Sequence, residues 1–189
     1  MAQQDSPDLH GMKVAILVCE GFEQVEMTEP RKALQQAGAQ THLVSKDKGQ
    51  VQAFKHHDRA DKFDVDRTFD DIRPEDYDAV LLPGGALNAD TIRSNDKAQQ
   101  FVRAMQHAGK PFAVICHAPW LLVSAGLVKG RTLTSWPTLQ DDIRNAGGEW
   151  VDQQVVKDAN WVTSRKPDDI PAFNQAMLAL LASRQHTAA

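Results

Sequence analysis

Three continuous apolar runs, each ending at a corner, constrain this chain more than any other feature. Lys13 to Cys19 reads KVAILVC, Asp78 to Pro83 reads DAVLLP, and Pro111 to Cys116 reads PFAVIC. A run without polar alternation suits a strand buried on both faces, as in a parallel sheet. Between these runs lie good helix formers. Val25 to Ala37 ends at Gly38, and Asn95 to Ala108 ends at Gly109. Thr41 to Ser45 (THLVS) supplies a further strand. Alternating strands and helices with right-handed crossovers predict a doubly wound α/β sandwich with a mostly parallel sheet.

The remaining segments extend the pattern. His117 to Ala125 reads as a short apolar helix with Pro119 near its start, where proline is tolerated. Thr132 to Ser135 is a short strand, and Leu139 to Ala146 a helix ended by Gly147-Gly148. Trp150 to Val156 and Trp161 to Ser164 flank a turn at Asp158 to Asn160, which predicts a hairpin. Asp168 or Asp169 caps a last helix running to about Ser183. The most polar stretch, Lys46 to Tyr77, contains an alternating segment from Lys62 to Phe69 that suggests a half-exposed strand or ribbon, although the plainer reading is a solvated edge. No repeat or linker divides the chain. One domain is expected over 12–183, between a flexible N-terminal tail (1–11) and a polar tail (184–189).

With 189 residues the chain is long enough for a three-layer core. Its net charge of −4 repels phosphate backbones and anionic lipid, so neither nucleic acid nor membrane is an expected partner. No apolar run reaches the roughly 18 residues of a membrane helix. Met1 to Gly11 lacks the charged-then-apolar order of a signal peptide, which predicts a cytoplasmic protein. Two cysteines, Cys19 and Cys116, do not make a disulfide scaffold.

In an open parallel sheet, ligands bind where strands end and helices begin. Cys116 closes one buried run and opens a helix, where the dipole and free N–H groups lower a thiol pKa. His117 beside it offers a proton acceptor. The competing reading is a buried cysteine acting as a small hydrophobe. Glu23 and Glu26, three apart at the first strand-to-helix turn, either favour the helix dipole or place one carboxyl beside Cys116. Gly84-Gly85 permits a sharp turn and leaves backbone N–H groups free to hold an oxyanion. His56-His57-Asp58 is a poor metal motif, because adjacent rings do not easily share one ion. Neither a metal nor a cofactor is expected. The four tryptophans read as core or interface residues. Cys19 ends a strand on the same sheet edge as Cys116, so a bridge between the two is a further expectation to test.

The segments EGFEQVE, LLPGG, AVICHAPWLLVSAGLVKGR, LTSW, NAGGEWVD and VTSRKPDDIPAFN together resemble the PfpI (intracellular protease I) family. That family lies within the superfamily of the Parkinsonism-associated deglycase and includes proteins of general-stress type. The resemblance spans about residues 12–182. It implies a flavodoxin-like sandwich, akin to class I glutamine amidotransferases, that forms homodimers or larger rings. It implies Cys116 as nucleophile, His117 as its base and Glu26 as the cleft glutamate. The backbone N–H groups of Gly85 and His117 become the oxyanion donors. An acidic residue from a neighbouring subunit, matched here by Asp90, would orient the histidine. Two positions depart from the family pattern: Ala118 stands where glycine is commoner, and Asp90 stands for a longer glutamate.

The activities this resemblance implies are hydrolysis or rearrangement of small reactive carbonyls (glyoxalase or deglycase), peptide cleavage, or a non-enzymatic role. In that role Cys116 is oxidised to sulfenic or sulfinic acid as a stress sensor. A glutaminase or papain-like enzyme needs a distant histidine after the nucleophile, and only His186 in the tail follows His117. A flavodoxin needs a phosphate loop after the first strand, where this chain carries three glutamates.

Overall fold

The computed structural model describes residues 7–185. The first buried run forms β1 (Lys13–Leu17), followed by β2 (Phe22–Glu23), α1 (Gln24–Gln36) and β3 (Gln40–Ser45). Next come β4 (Gln50–Lys55), β5 (Asp58–Asp64), β6 (Arg67–Thr68) and β7 (Ala79–Leu82). After the second run lie α2 (Ala86–Arg93), α3 (Asp96–His107), β8 (Phe112–Ile115) and α4 (Pro119–Ser124). The chain finishes with β9 (Thr132–Leu133), α5 (Gln140–Asn145), β10 (Glu149–Trp150), β11 (Val155–Asp158), β12 (Trp161–Ser164) and α6 (Ile170–Gln185).

The main sheet has seven strands in the order β11-β12-β8-β7-β1-β3-β6. Every pair in it is parallel except β11 with β12. The three apolar runs are its central strands: Val14 pairs with Ala79, and Val80 with Phe112. Their unbroken hydrophobicity follows from burial on both sides. One face packs Val14, Ile16, Leu81 and Ile115 against Met27 and Leu34 of α1 and Phe173 and Met177 of α6. The other packs Ala15, Leu17, Val80 and Val114 against Phe101, Val102 and Met105 of α3 and Leu121 and Leu122 of α4. Each of the larger of these side chains removed from water is worth about 1.5–3 kcal/mol. This is the flavodoxin-like α/β sandwich.

Several local expectations need correction. Lys46 to Tyr77 is not simply a solvated edge. Its residues build β4 and β5, an antiparallel ribbon that joins β2 in a separate three-stranded sheet. The inner side of β4 is apolar enough to bury Val51 and Ala53. Trp150 leaves the predicted hairpin and pairs with Leu133 in the small β9–β10 sheet, so only β11 and β12 form the hairpin. Helix α2 is unforeseen: its residues ALNADTIR carry no side-chain cap, and Gly85 starts it. Asp169 does not cap α6. Its carboxylate takes the Arg165 guanidinium through Nε at 2.9 Å and Nη2 at 3.0 Å. Leu9, within the expected tail, is fully buried, and its N–H donates to Ala37 O at 2.7 Å. Residues 1–6 and 186–189 of the two tails lie outside the described residues. Among the described residues no helix is long and apolar enough to cross a membrane.

Candidate active site

The C-terminal ends of β1, β7 and β8 open into one cleft of about 720 Å³. Cys116 and His117 line it from β8, and Gly85, Ala86 and Leu87 from the start of α2. Glu23 and Glu26 enter from the first strand-to-helix turn, and Phe54, His56 and His57 from the tip of the β4–β5 ribbon. Trp136 and Pro167 complete the wall.

Cys116 sits on a strained corner. Its φ is +63°, in the left-handed region that a non-glycine residue rarely occupies, at a cost of about 1–3 kcal/mol. Packing enforces it from two sides: Cys116 N–H donates to Ser164 O at 3.0 Å, and Trp136 N–H donates to Cys116 O at 2.8 Å. The corner turns Sγ away from the sheet and toward the N–H groups of Gly85 and His117, both of which hydrogen-bond it. Only 6% of Cys116 is exposed.

The two glycines earlier in the chain make room for this. A Cβ at Gly84 would stand 2.5 Å from Glu26 Oε2 and 2.7 Å from Cys116 Cβ. Gly85 has φ +91°, and a Cβ there would meet Gly21 O at 2.4 Å. The Gly84 N–H donates to Glu26 Oε2 at 2.8 Å.

Glu26 is fully buried in the first turn of α1. Its Oε1 has no nitrogen or oxygen partner, and the carboxyl interacts with the Cys116 side chain. Burial pushes Glu26 up to about 8, opposed by its bonds to Cys116 and to the Gly84 N–H. It is therefore a neutral acid at neutral pH, able to donate toward the sulfur. Burial also pushes the Cys116 thiol up, and an ionised Glu26 would push it further, while the N–H groups of Gly85 and His117 pull it down. The depressed thiol pKa expected from the helix dipole is thus not what the corner provides. Helix α4 begins only at Pro119, and burial rather than its dipole sets the direction of the shift. With Glu26 protonated the thiolate keeps three donors and loses its one repelling neighbour.

His117 Nδ1 lies 3.2 Å from Cys116 Sγ. Its ring stacks on Trp136 at 5.7 Å with 20° between planes, and meets the edge of Trp120 at 5.7 Å. Burial pulls its pKa down, so the imidazole is neutral and can accept a proton from the thiol. Among the described residues no carboxylate hydrogen-bonds this ring. Asp90 is exposed on α2 and does not line the cleft.

Glu23 precedes α1 but makes no side-chain cap. Its Oε2 accepts from the His56 N–H at 2.8 Å, fastening the ribbon tip over the cleft. The ribbon residues Phe54, His56 and His57 and the stacking Trp136 were not legible as a site. Only the positive φ of His56 (+57°), invisible in sequence, marks that turn as special. Among the described residues no group of three or more His, Cys, Asp or Glu side chains is gathered to hold a metal ion.

Cys19 lies elsewhere. Strand β7 separates β1 from β8, a spacing of about 10 Å, beyond the about 7 Å Cα reach of a disulfide. The two cysteines also pack into cores on opposite faces of the sheet, which rules against the bridge.

Residues 12–180 match the DJ-1/PfpI family. The chain is 42% identical over 170 residues to a protein of Pyrococcus furiosus named deglycase PfpI, covering 90% of this chain and 99% of that one. It is 41% identical over 172 residues to general stress protein 18 of Bacillus subtilis, covering 90% and 98%. The crystal structure of Drosophila melanogaster DJ-1beta superposes with a TM-score of 0.82 at 26% identity, covering 90% of each chain.

Proposed function

The chain belongs to the DJ-1/PfpI family, and from that premise we propose a cysteine-dependent hydrolase of carbonyl adducts, of the deglycase type. The observation that carries this reading is the convergence on one sulfur. The N–H groups of Gly85 and His117, the Glu26 carboxyl and the His117 imidazole all meet Cys116 at the floor of an open cleft.

In this reading His117 Nδ1 accepts the thiol proton as Sγ bonds to the adduct carbon that carries the nitrogen. The C–N bond breaks, Glu26 protonates the departing amine as a neutral acid, and the carbonyl-derived fragment stays on sulfur as a hemithioacetal. The Gly85 and His117 N–H groups hold the oxygen of that fragment, and water then releases it as the hydrated carbonyl and restores the thiol. Relatives named deglycase and general stress protein support the assignment. A peptidase is less well supported, because an amide is far less electrophilic than a carbonyl adduct and no carboxylate among the described residues orients His117 for the harder proton relay. The homodimer belongs to the same reading: Asp90, exposed on α2, is free to serve a second copy.

The test is release of free amine from the 2-oxoaldehyde adduct of Nα-acetyllysine. Turnover by the wild type that falls at least about a thousandfold in Cys116→Ser supports the reading. Absence of turnover, with Cys116 taking up oxygen under mild peroxide, supports the second reading, a redox sensor. That reading draws on the same donors, which would equally hold the oxygens of an oxidised sulfur.

A further inference from the structure

The cleft has a second chamber that the catalytic reading does not use. A cavity of about 380 Å³ adjoins the first and shares Glu23, His56 and Pro167 with it. A three-carbon dicarbonyl needs neither this chamber nor the full inner one, since pockets of about 300–1,000 Å³ bury much larger ligands. The bar between the chambers is Glu23, bound to the His56 N–H through Oε2 and 7% exposed. The outer chamber beyond it is walled by Val25, Thr28 and Ala60, with Lys55 beside them.

The chemistry along the cleft therefore runs in a fixed order. The nucleophile comes first, then a carboxylate, then an apolar channel. A carbonyl adduct on an arginine or lysine has the same order: electrophilic carbon, nitrogen, aliphatic stem. We propose, resting on the carbonyl-adduct reading above, that Glu23 and the outer chamber recognise the carrier of the adduct. The carrier is a basic side chain, its nitrogen bound by Glu23 and its stem lying against Val25 and Thr28. A carboxylate held in place and largely withdrawn from water is a strong acceptor for a guanidinium. The stem is covered at low polar cost by these apolar walls.

Binding of unreactive carriers tests this without any turnover. Nα-acetylarginine amide and Nα-acetylcitrulline amide differ in charge but hardly in shape, and amide chemical-shift titration reads weak affinities. The arginine amide should bind at least about tenfold more tightly than the citrulline amide. Glu23→Gln keeps an acceptor for the His56 N–H and should abolish the difference. Thr28→Trp, which fills the outer chamber, should weaken both ligands. Equal binding of the two amides by the wild type would overturn the proposal. So would a preference that survives Glu23→Gln, or arginine binding unchanged by Thr28→Trp. Failure of the hydrolase reading shows separately, as wild-type protein that binds the arginine amide selectively yet releases no amine from an adduct.

Discussion

Cys19 and Cys116 both follow buried parallel strands at the same edge of one sheet, and both are nearly inaccessible. Burial raises both thiols, but the groups around them differ. Cys19 lies two residues beyond β1 without a positive φ, and its N–H donates to Asn88 Oδ1 at 2.6 Å. Burial pushes its thiol up to about 12. Cys116 turns a left-handed corner that aims Sγ at two N–H groups, a protonated carboxyl and an imidazole. A strand end is therefore not enough to make a cysteine a nucleophile. The corner, and glycines small enough to let Glu26 approach it, make the difference.

The contrast is broken most directly at the sulfurs. Cys116→Ser should lower adduct turnover at least about a thousandfold, read as amine release. Comparable loss in Cys19→Ala would instead make the two sites equivalent. Gly84→Ala should come next, with a fall in kcat of about a hundredfold. The new methyl would sit 2.5 Å from Glu26 Oε2 and 2.7 Å from Cys116 Cβ and force them apart.

Glu26→Gln sharpens the comparison through stability. Burial raises Glu26 from 4.5 to about 8, so the folded chain holds a proton that the unfolded chain has lost. That contribution is complete below 4.5 and disappears as pH rises through about 8. Denaturant titrations should show wild type and Glu26→Gln converging at low pH. Above about 8 the variant should be more stable by a few kcal/mol. The smallest effect belongs to Cys19→Ala, which should change turnover less than about twofold and stability by about 1 kcal/mol.

Much of this was legible in the chain. The apolar runs fixed the central strands, because burial on both faces leaves no room for alternation. Cys116 and Gly85 stood out because strand ends collect ligands in such sheets, whereas only the family resemblance separated Glu26 from Glu23. The role of Glu23 was not. Spacing placed it beside Glu26, but its partner is a backbone N–H thirty-three positions away, on a ribbon whose charged sequence reads as solvent-facing. Trp136 was equally hidden: a tryptophan that stacks on a histidine looks the same in sequence as one that fills a core. The thiol's electrostatics were misjudged for a related reason. Sequence shows that a helix follows Cys116, but not that two residues intervene or that burial dominates.

The most direct measurement is the rate of alkylation of both cysteines by iodoacetamide across pH, read by mass spectrometry, in wild type and Glu26→Leu. Cys116 should react and Cys19 should not. Below about 8, where Glu26 is a neutral donor, the wild type should react about tenfold faster than Glu26→Leu, and the gap should close and then reverse as Glu26 ionises and repels the thiolate. Equal rates in the two proteins at every pH, or a faster Glu26→Leu below about 8, would show that Glu26 does not assist the thiolate. Cys19 reacting as fast as Cys116 would remove the corner's claim to reactivity.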